Sequence, residues 1–460
     1  MLCTLSPARA VVRVSDKHIV EKLSENYPLL SIIVGAVLVS ASVGPYQNGD
    51  TQWEFEAASG VLRWGMPYVN SFGNLMNQPP LGFYTEALFF KAFGLSITTG
   101  TVLIGLFGLG CIVLVYKIGE AWYGKTTGLL AAALFAFTPW ELVLSRSFLI
   151  DTQCLFFSLL YLFVGTVAVR RGSFKLFMVS GALFAAAFLT KAYAVFALIP
   201  LLLMLVHYRP KSIGRAFGWL AAFFLPAILS SFLWYQVVSG QGMLAALFQG
   251  GVVTHNVSGV VPTPFFVANF LENYGLGWFF LDAAVLSLLV CVVYRKFRGT
   301  LFSDLTCLVT ILAVLGVNTF LGAALNLKSP YLDSVKFDYQ TLPFFCLLAA
   351  SLAPKSLSML KSAKLDLNLK KLKFSVGLLG LTLLAASLAF NFLYIHNLST
   401  ANYLLFRVEP NVNLGYSLFD PKSQSALSLL TVTQYLGFAI ALSGLGWAGR
   451  KKLPLHPRQL

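Results

Sequence analysis

The sequence predicts an all-α, polytopic membrane protein with about twelve transmembrane helices, eleven at the fewest and thirteen at the most. Three observations predict it. First, the 460-residue chain is 57% hydrophobic and only 11% charged, with a mean hydropathy of +0.75. Soluble domains carry about 25% charged residues, so this chain is too poor in polar side chains to face water throughout. Second, apolar runs of membrane-spanning length recur along almost the whole sequence. Third, the basic residues segregate between alternate loops, as the positive-inside rule requires of a multi-pass protein.

In chain order, a basic arm at 1–27 carries Arg9, Arg13, Lys17 and Lys22 and leads into a first span at 28–44. Further runs lie at 97–116, 126–143, 152–169, 174–190, 192–206, 216–237, 276–294, 305–324, 339–353, 374–396 and 427–447. At 1.5 Å per residue each reaches across a hydrocarbon layer of ~30 Å if the shorter ones extend into the interface. The segment 79–94 is the ambiguous one, and charge decides it. If it does not cross, eight basic residues face outward: Arg63, Lys91, Arg146, Lys191, Lys328, Lys336, Arg407 and Lys422. The other 25 of the 33 then share the side of the N-terminal arm. If it does cross, the arm lies opposite every later basic loop. We therefore expect both termini in the cytoplasm and 79–94 as a juxtamembrane helix.

The same count explains the net charge of +15 as topology, aided by anionic lipid at the 355–373 run, so no nucleic-acid partner is needed. Residues 1–26 hold no apolar core of a cleavable signal peptide. The expected organisation is an arm at 1–27, a transmembrane catalytic core at 28–353 that includes an outer loop at 45–96, a basic cytoplasmic loop at 354–373, and a C-terminal hairpin with a short tail at 374–460. Six scattered cysteines show no metal spacing and read as small core residues. Twelve of the 18 acids fall on the outer side, which places any chemistry there.

The most informative stretch is 45–94. Asp50 follows Asn48-Gly49, and a helical pattern begins directly after it. Thr51 and Glu54 fit a capping box. Trp53, Ala57, Val61 and Trp64 recur at helical spacing and suit a helix lying in the membrane interface. Gly65-Met66-Pro67 ends that helix, and Asn77-Gln78-Pro79-Pro80-Leu81-Gly82 opens a second one.

An acidic residue leading an interfacial helix, a Gly-x-Pro-Tyr turn and then Pro-Pro-Leu resemble the first outer loop of the GT-C glycosyltransferases. The pattern is most similar to the protein O-mannosyltransferases and the bacterial lipid A aminoarabinose transferases. Thr51 stands where that family usually has Glu, and Gln78 where it has His or Lys. Ser145-Arg146 with Asp151 resembles the family's second outer loop. Leu189-Thr190-Lys191 resembles its Leu-Thr-Lys turn, and Lys336-Phe337-Asp338-Tyr339 with Leu342-Pro343 its late motif. The resemblance implies a GT-C fold and a polyprenyl-phosphate (dolichyl-phosphate type) sugar donor. It also implies a hydroxyl acceptor on a protein, lipid or glycan, and Asp50 as the catalytic residue.

Such chemistry needs a base for the acceptor hydroxyl and fixed cations for the departing phosphate. Asp50 is the candidate base, and Arg146, Lys191 and Lys336 are the candidate phosphate ligands. Asp151 either orients Arg146 or the acceptor, or joins Asp50 around a divalent metal such as Mg or Mn. Glu54, Gln78 and Tyr339 are candidate substrate contacts. The competing reading is a transporter or flippase of a lipid-linked substrate. That class puts ionisable groups at the midplane, where these spans carry almost none.

Overall fold

The computed structural model describes residues 8–41, 49–76, 78–208, 213–240, 277–324, 336–362, 367–401 and 424–450. It is almost entirely helical, as expected for a backbone that must satisfy its own hydrogen bonds in lipid. Among the described residues the one β element is a hairpin with two residues in each strand, Tyr68–Val69 against Asn74–Leu75.

The first helix, α1 (Ala8–Ala41), runs unbroken through the expected arm and first span. Helix α2 (Gly49–Trp64) and α3 (Leu81–Phe93) flank the hairpin. Thirteen residues in α3 reach only about 20 Å, two-thirds of the hydrocarbon thickness. Then follow α4 (Ile97–Tyr123), α5 (Lys125–Ala136), α6 (Pro139–Leu144), α7 (Ile150–Arg171), α8 (Phe174–Thr190), α9 (Leu198–Tyr208) and α10 (Ile213–Phe232). The rest of the described chain is α11 (Gly277–Val293), α12 (Leu301–Ala324), α13 (Leu342–Ala350), α14 (Leu352–Ser362), α15 (Leu367–Ala401) and α16 (Gln424–Arg450). Six described helical stretches are long and apolar enough to cross a membrane, and five shorter apolar helices accompany them. The protein is a multi-pass membrane protein.

Three boundaries differ from the hydropathy reading. The run at 126–143 breaks into α5 and α6 because Pro139 at the start of α6 has no N–H to continue the α5 ladder. The run at 339–353 begins as a 3-10 turn, Lys336–Thr341, and breaks again at Ser351. The segment expected to be a basic loop from 354 is helical as far as Ser362. Lys355 is buried there and is ion-paired to Asp304 at 2.5 Å. Ser287 and Ser351 hydroxyls complete the network around its ammonium at 2.8 and 3.1 Å.

The core is a continuous cluster centred on α4, α5, α7 and α13, with α8, α10 and α11 packed around it. The two faces of α2 were harder to read. Trp53, Ala57 and Val61 pack on Val69, Met76, Phe83 and Ile150, so this stripe is core. Trp64 alone of the four stays exposed. The first and last helices meet: α16 lies along α1, where a Cβ on Gly35 would collide with the Gly437 carbonyl. The five cysteines in the described residues are buried and unpaired.

Candidate active site

Local sequence builds the outer end of the bundle. Gly65 ends α2 at φ +74°, a conformation that glycine adopts without strain. The chain then folds back as the hairpin, and its loop is fastened to α2 by Glu56, which accepts from the Ser71 N–H (2.9 Å) and hydroxyl (2.6 Å). Asp50 sits half-buried in the first turn of α2.

One helical turn on, Glu54 is buried, and its Oε2 accepts from the backbone N–H of Ile150 at 3.0 Å. A capping box does not describe this contact, which ties α2 to the N-terminus of α7, 96 residues away in sequence. The next residue, Asp151, accepts two hydrogen bonds from Lys191 Nζ, at 2.9 and 2.8 Å. Both side chains are buried. Lys191 caps α8 with extended backbone, and its ammonium lies 5.4 Å from the centre of the Tyr193 ring. Asp151 therefore engages Lys191 rather than Arg146.

Arg146 lies in the turn between α6 and α7, half-buried, and its Nε is enclosed without a hydrogen-bond partner. Burial pulls its guanidinium below the usual arginine value. Gln78 is half-buried, with its side-chain oxygen enclosed and unbonded. Tyr339 is fully buried and donates its hydroxyl to Glu141 on α6. Lys336 opens the 3-10 turn, but its side chain lies outside the described residues.

The structure brings Glu54, Asp151 and Lys191 together around the start of α7, with Asp50 one turn before Glu54 and Arg146 in the turn just before α7. It also adds Glu86, which the sequence reading missed. Glu86 on α3 is 0% exposed, and neither of its oxygens has a hydrogen-bond partner among the described residues. Burial, and then the nearby Glu54 carboxylate, push its pKa well above the ordinary range. A readable signal existed: Glu86 lies beside Ala87, between Phe83 and Phe90, on the buried stripe of α3.

A divalent metal fits these residues poorly. Both Asp151 oxygens are taken by Lys191, and among the described residues no three His, Cys, Asp or Glu side chains converge.

Comparisons with known proteins bear on the fold and on part of the sequence. Residues 77–235 match the sequence profile of the dolichyl-phosphate-mannose-protein mannosyltransferase family. The fold is similar to apo ArnT from Cupriavidus metallidurans, with a TM-score of 0.54 at 15% identity over 92% of this chain and 77% of that one. The chain shares the fold of ArnT. Among its other structural neighbours is ArnT bound to undecaprenyl phosphate, with a TM-score of 0.50 and 16% identity over the same shares of the two chains. A third is the apo oligosaccharyltransferase of Archaeoglobus fulgidus, with a TM-score of 0.50 and 12% identity, covering 80% of this chain and 56% of that one. No curated protein matches the sequence.

The buried Glu86 gives a pH prediction. A carboxyl whose folded pKa is raised stabilises the protein below its unfolded pKa, and that stability is lost as pH rises through the folded value. The apparent melting temperature should therefore fall as pH rises above the ordinary carboxylate range. Glu86→Gln stays neutral and places an N–H beside the Glu54 carboxylate, so it should flatten that fall and melt above wild type at the higher pH. Parallel pH slopes for the two proteins would contradict the buried neutral acid.

Proposed function

We propose that this protein is a glycosyltransferase that moves a sugar from a polyprenyl-phosphate donor to a hydroxyl acceptor on the extracytoplasmic face, with inversion. The acceptor oxygen attacks the anomeric carbon and its proton passes to the Asp50 carboxylate. The bond from that carbon to the phosphate oxygen breaks, and prenyl phosphate leaves with the electron pair. One displacement needs one base, and general-base help of this kind contributes about 10²–10⁴ in rate. Lys191, held by Asp151, and Arg146 supply positive charge where the phosphate departs, together with Lys336.

The observation that carries this reading is the Glu54–Ile150 hydrogen bond. It fixes the helix bearing Asp50 to the start of the helix bearing Asp151, and so to Lys191. The donor class is supported by the matched mannosyltransferase profile and by the neighbour that holds undecaprenyl phosphate. The direct test is transfer from a synthetic polyprenyl-phosphate sugar to an acceptor panel by the purified protein, with the anomeric product read by NMR. Product with the donor's anomeric configuration retained would exclude single displacement.

Orientation has its own test, resting on the 25-to-8 split of basic residues. With both termini cytoplasmic, Asn70→Cys and His255→Cys should react with an impermeant thiol reagent in intact cells, and Leu365→Cys should not. Labelling of Leu365→Cys from outside would reverse the assignment.

A further inference from the structure

Two buried acids lie where α2, α3 and the start of α7 come together. Glu86 on α3 sits between Phe83 and Phe90, wholly enclosed, with neither oxygen hydrogen-bonded among the described residues. Glu54 on α2 is buried nearby, close enough to act on its ionisation. Two carboxylates in one low-dielectric place cannot both stay ionised, so the pair carries a proton. The hydrogen bonds decide which acid holds it. Glu54 accepts from the Ile150 N–H at 3.0 Å, and Ile150 opens α7, where the helix dipole also favours negative charge. Glu86 has no such donor. The proton therefore sits on Glu86, and Glu54 is the carboxylate that faces it.

Among the described residues no cation stands ready to replace that proton. The helices packed against α3 are α2, α4, α7 and α8. From α2 come Asp50, one turn from Glu54, and Glu56, which is tied to Ser71. Arg63 is exposed in the last turn of α2. Asp151 on α7 and Lys191 at the end of α8 are bound to each other. Arg146, in the turn before α7, lines the surface between α1, α4 and α6 instead. On α4 there is no ionisable side chain before Cys111. On α3 itself Lys91 is exposed, and Tyr84 donates its hydroxyl to the Gly65 carbonyl. A second negative charge here could be met only by water, and admitting water means parting α2 from α3.

We propose that Glu86 is a positioning residue whose proton latches α2, and with it Asp50, onto α3 and the start of α7. Glu86 donates to the Glu54 carboxylate, and Glu54 in turn accepts the Ile150 N–H. Asp50 lies one helical turn from Glu54, so its place relative to Asp151 and Lys191 is set through this chain. Loss of the proton puts two charges between the helices and releases the base from its place. This rests on the reading of Asp50 as the base and adds a pH limit to it: turnover needs Asp50 ionised while Glu86 is still protonated.

The test uses the full-length protein in nanodiscs. One readout is transfer from a synthetic polyprenyl-phosphate sugar; another is hydrogen-exchange protection of α2, corrected for the pH dependence of free amides. In wild type kcat should fall about tenfold per pH unit on its alkaline limb, and α2 should lose protection over the same interval. Glu86→Gln stays neutral and still donates to Glu54, so its alkaline limb should lie at least about one pH unit higher, with donor KM unmoved. Glu86→Leu is neutral but donates nothing, and it should turn over about tenfold more slowly than Glu86→Gln. In the infrared, the difference between wild type and Glu86→Gln should contain the carbonyl band of a protonated carboxyl, lost as kcat is lost. Superimposable pH profiles for wild type and Glu86→Gln would overturn the proposal. So would equal kcat in the Gln and Leu variants, or absence of that band. The reading of Asp50 fails differently. If α2 protection and the infrared band behave as stated but no sugar is transferred, the latch stands and the base falls. If transfer depends on Asp50 while the two pH profiles superimpose, the base stands and the latch falls.

Discussion

Asp50→Asn is expected to lower sugar transfer by roughly 10²-fold or more while leaving the protein folded and donor binding intact. Asparagine has the same shape, and it serves as well as aspartate near a helix N-terminus, where Asp50 sits. What it lacks is a site for the acceptor proton at neutral pH. The loss should therefore fall on kcat, with little change in donor affinity, because Arg146 and Lys191 are untouched. The measurement is steady-state transfer by variant protein matched for quantity and monodispersity. A well-folded Asp50→Asn that turns over at the wild-type rate would remove the base from the mechanism and bring the transporter reading forward.

The second large effect lies at the other end of the bundle. Lys355→Met should cost about 3–5 kcal/mol, because it leaves a buried carboxylate without its cation. Asp304 is fully enclosed, and in the variant the neutral Ser351 hydroxyl at 3.1 Å, the Cys291 thiol at 2.9 Å and the Tyr123 hydroxyl would still face it. The double variant Asp304→Leu/Lys355→Met removes both charges and should recover most of the loss, since well-packed apolar replacements of buried pairs are often neutral. Thermal unfolding and detergent-extracted yield read both variants. A single variant as stable as wild type would mean that water reaches Asp304.

How far these features were legible depends on the distance over which each is encoded. The class of fold was legible because hydropathy sums over whole helices, and α4, α7 and α12 each carry a long apolar run. The place of Asp50 at a helix start was legible because its signal is local, an acid ahead of a helical pattern that a Gly-x-Pro turn ends. The Pro139 break was encoded locally too, but an apolar run on both sides concealed it. The two buried ion pairs were not legible. Asp151 and Lys191 are 40 residues apart, and Asp304 and Lys355 are 51 apart. Only the packing of their helices brings each pair together. In sequence Lys355 looks like the start of a solvated basic run. Glu86 was readable in principle from its place on the apolar stripe of α3, but its neighbour Glu54 comes from α2, and no spacing rule joins them.

The contact between α1 and α16 has a consequence for how the protein is made. Small residues at Gly35, Gly437 and Gly444 let the two backbones come together, the kind of surface that helices use to find each other in lipid. Gly35 is synthesised 402 residues before Gly437, which at about 5–20 residues per second is a wait of roughly 20–80 s. Throughout that interval the earliest helix sits in the bilayer with its glycine face open to lipid or to any other small-residue helix nearby. The two helices can meet only once α16 has been made. A product that stops short of α16 would keep that face unpaired in the bilayer.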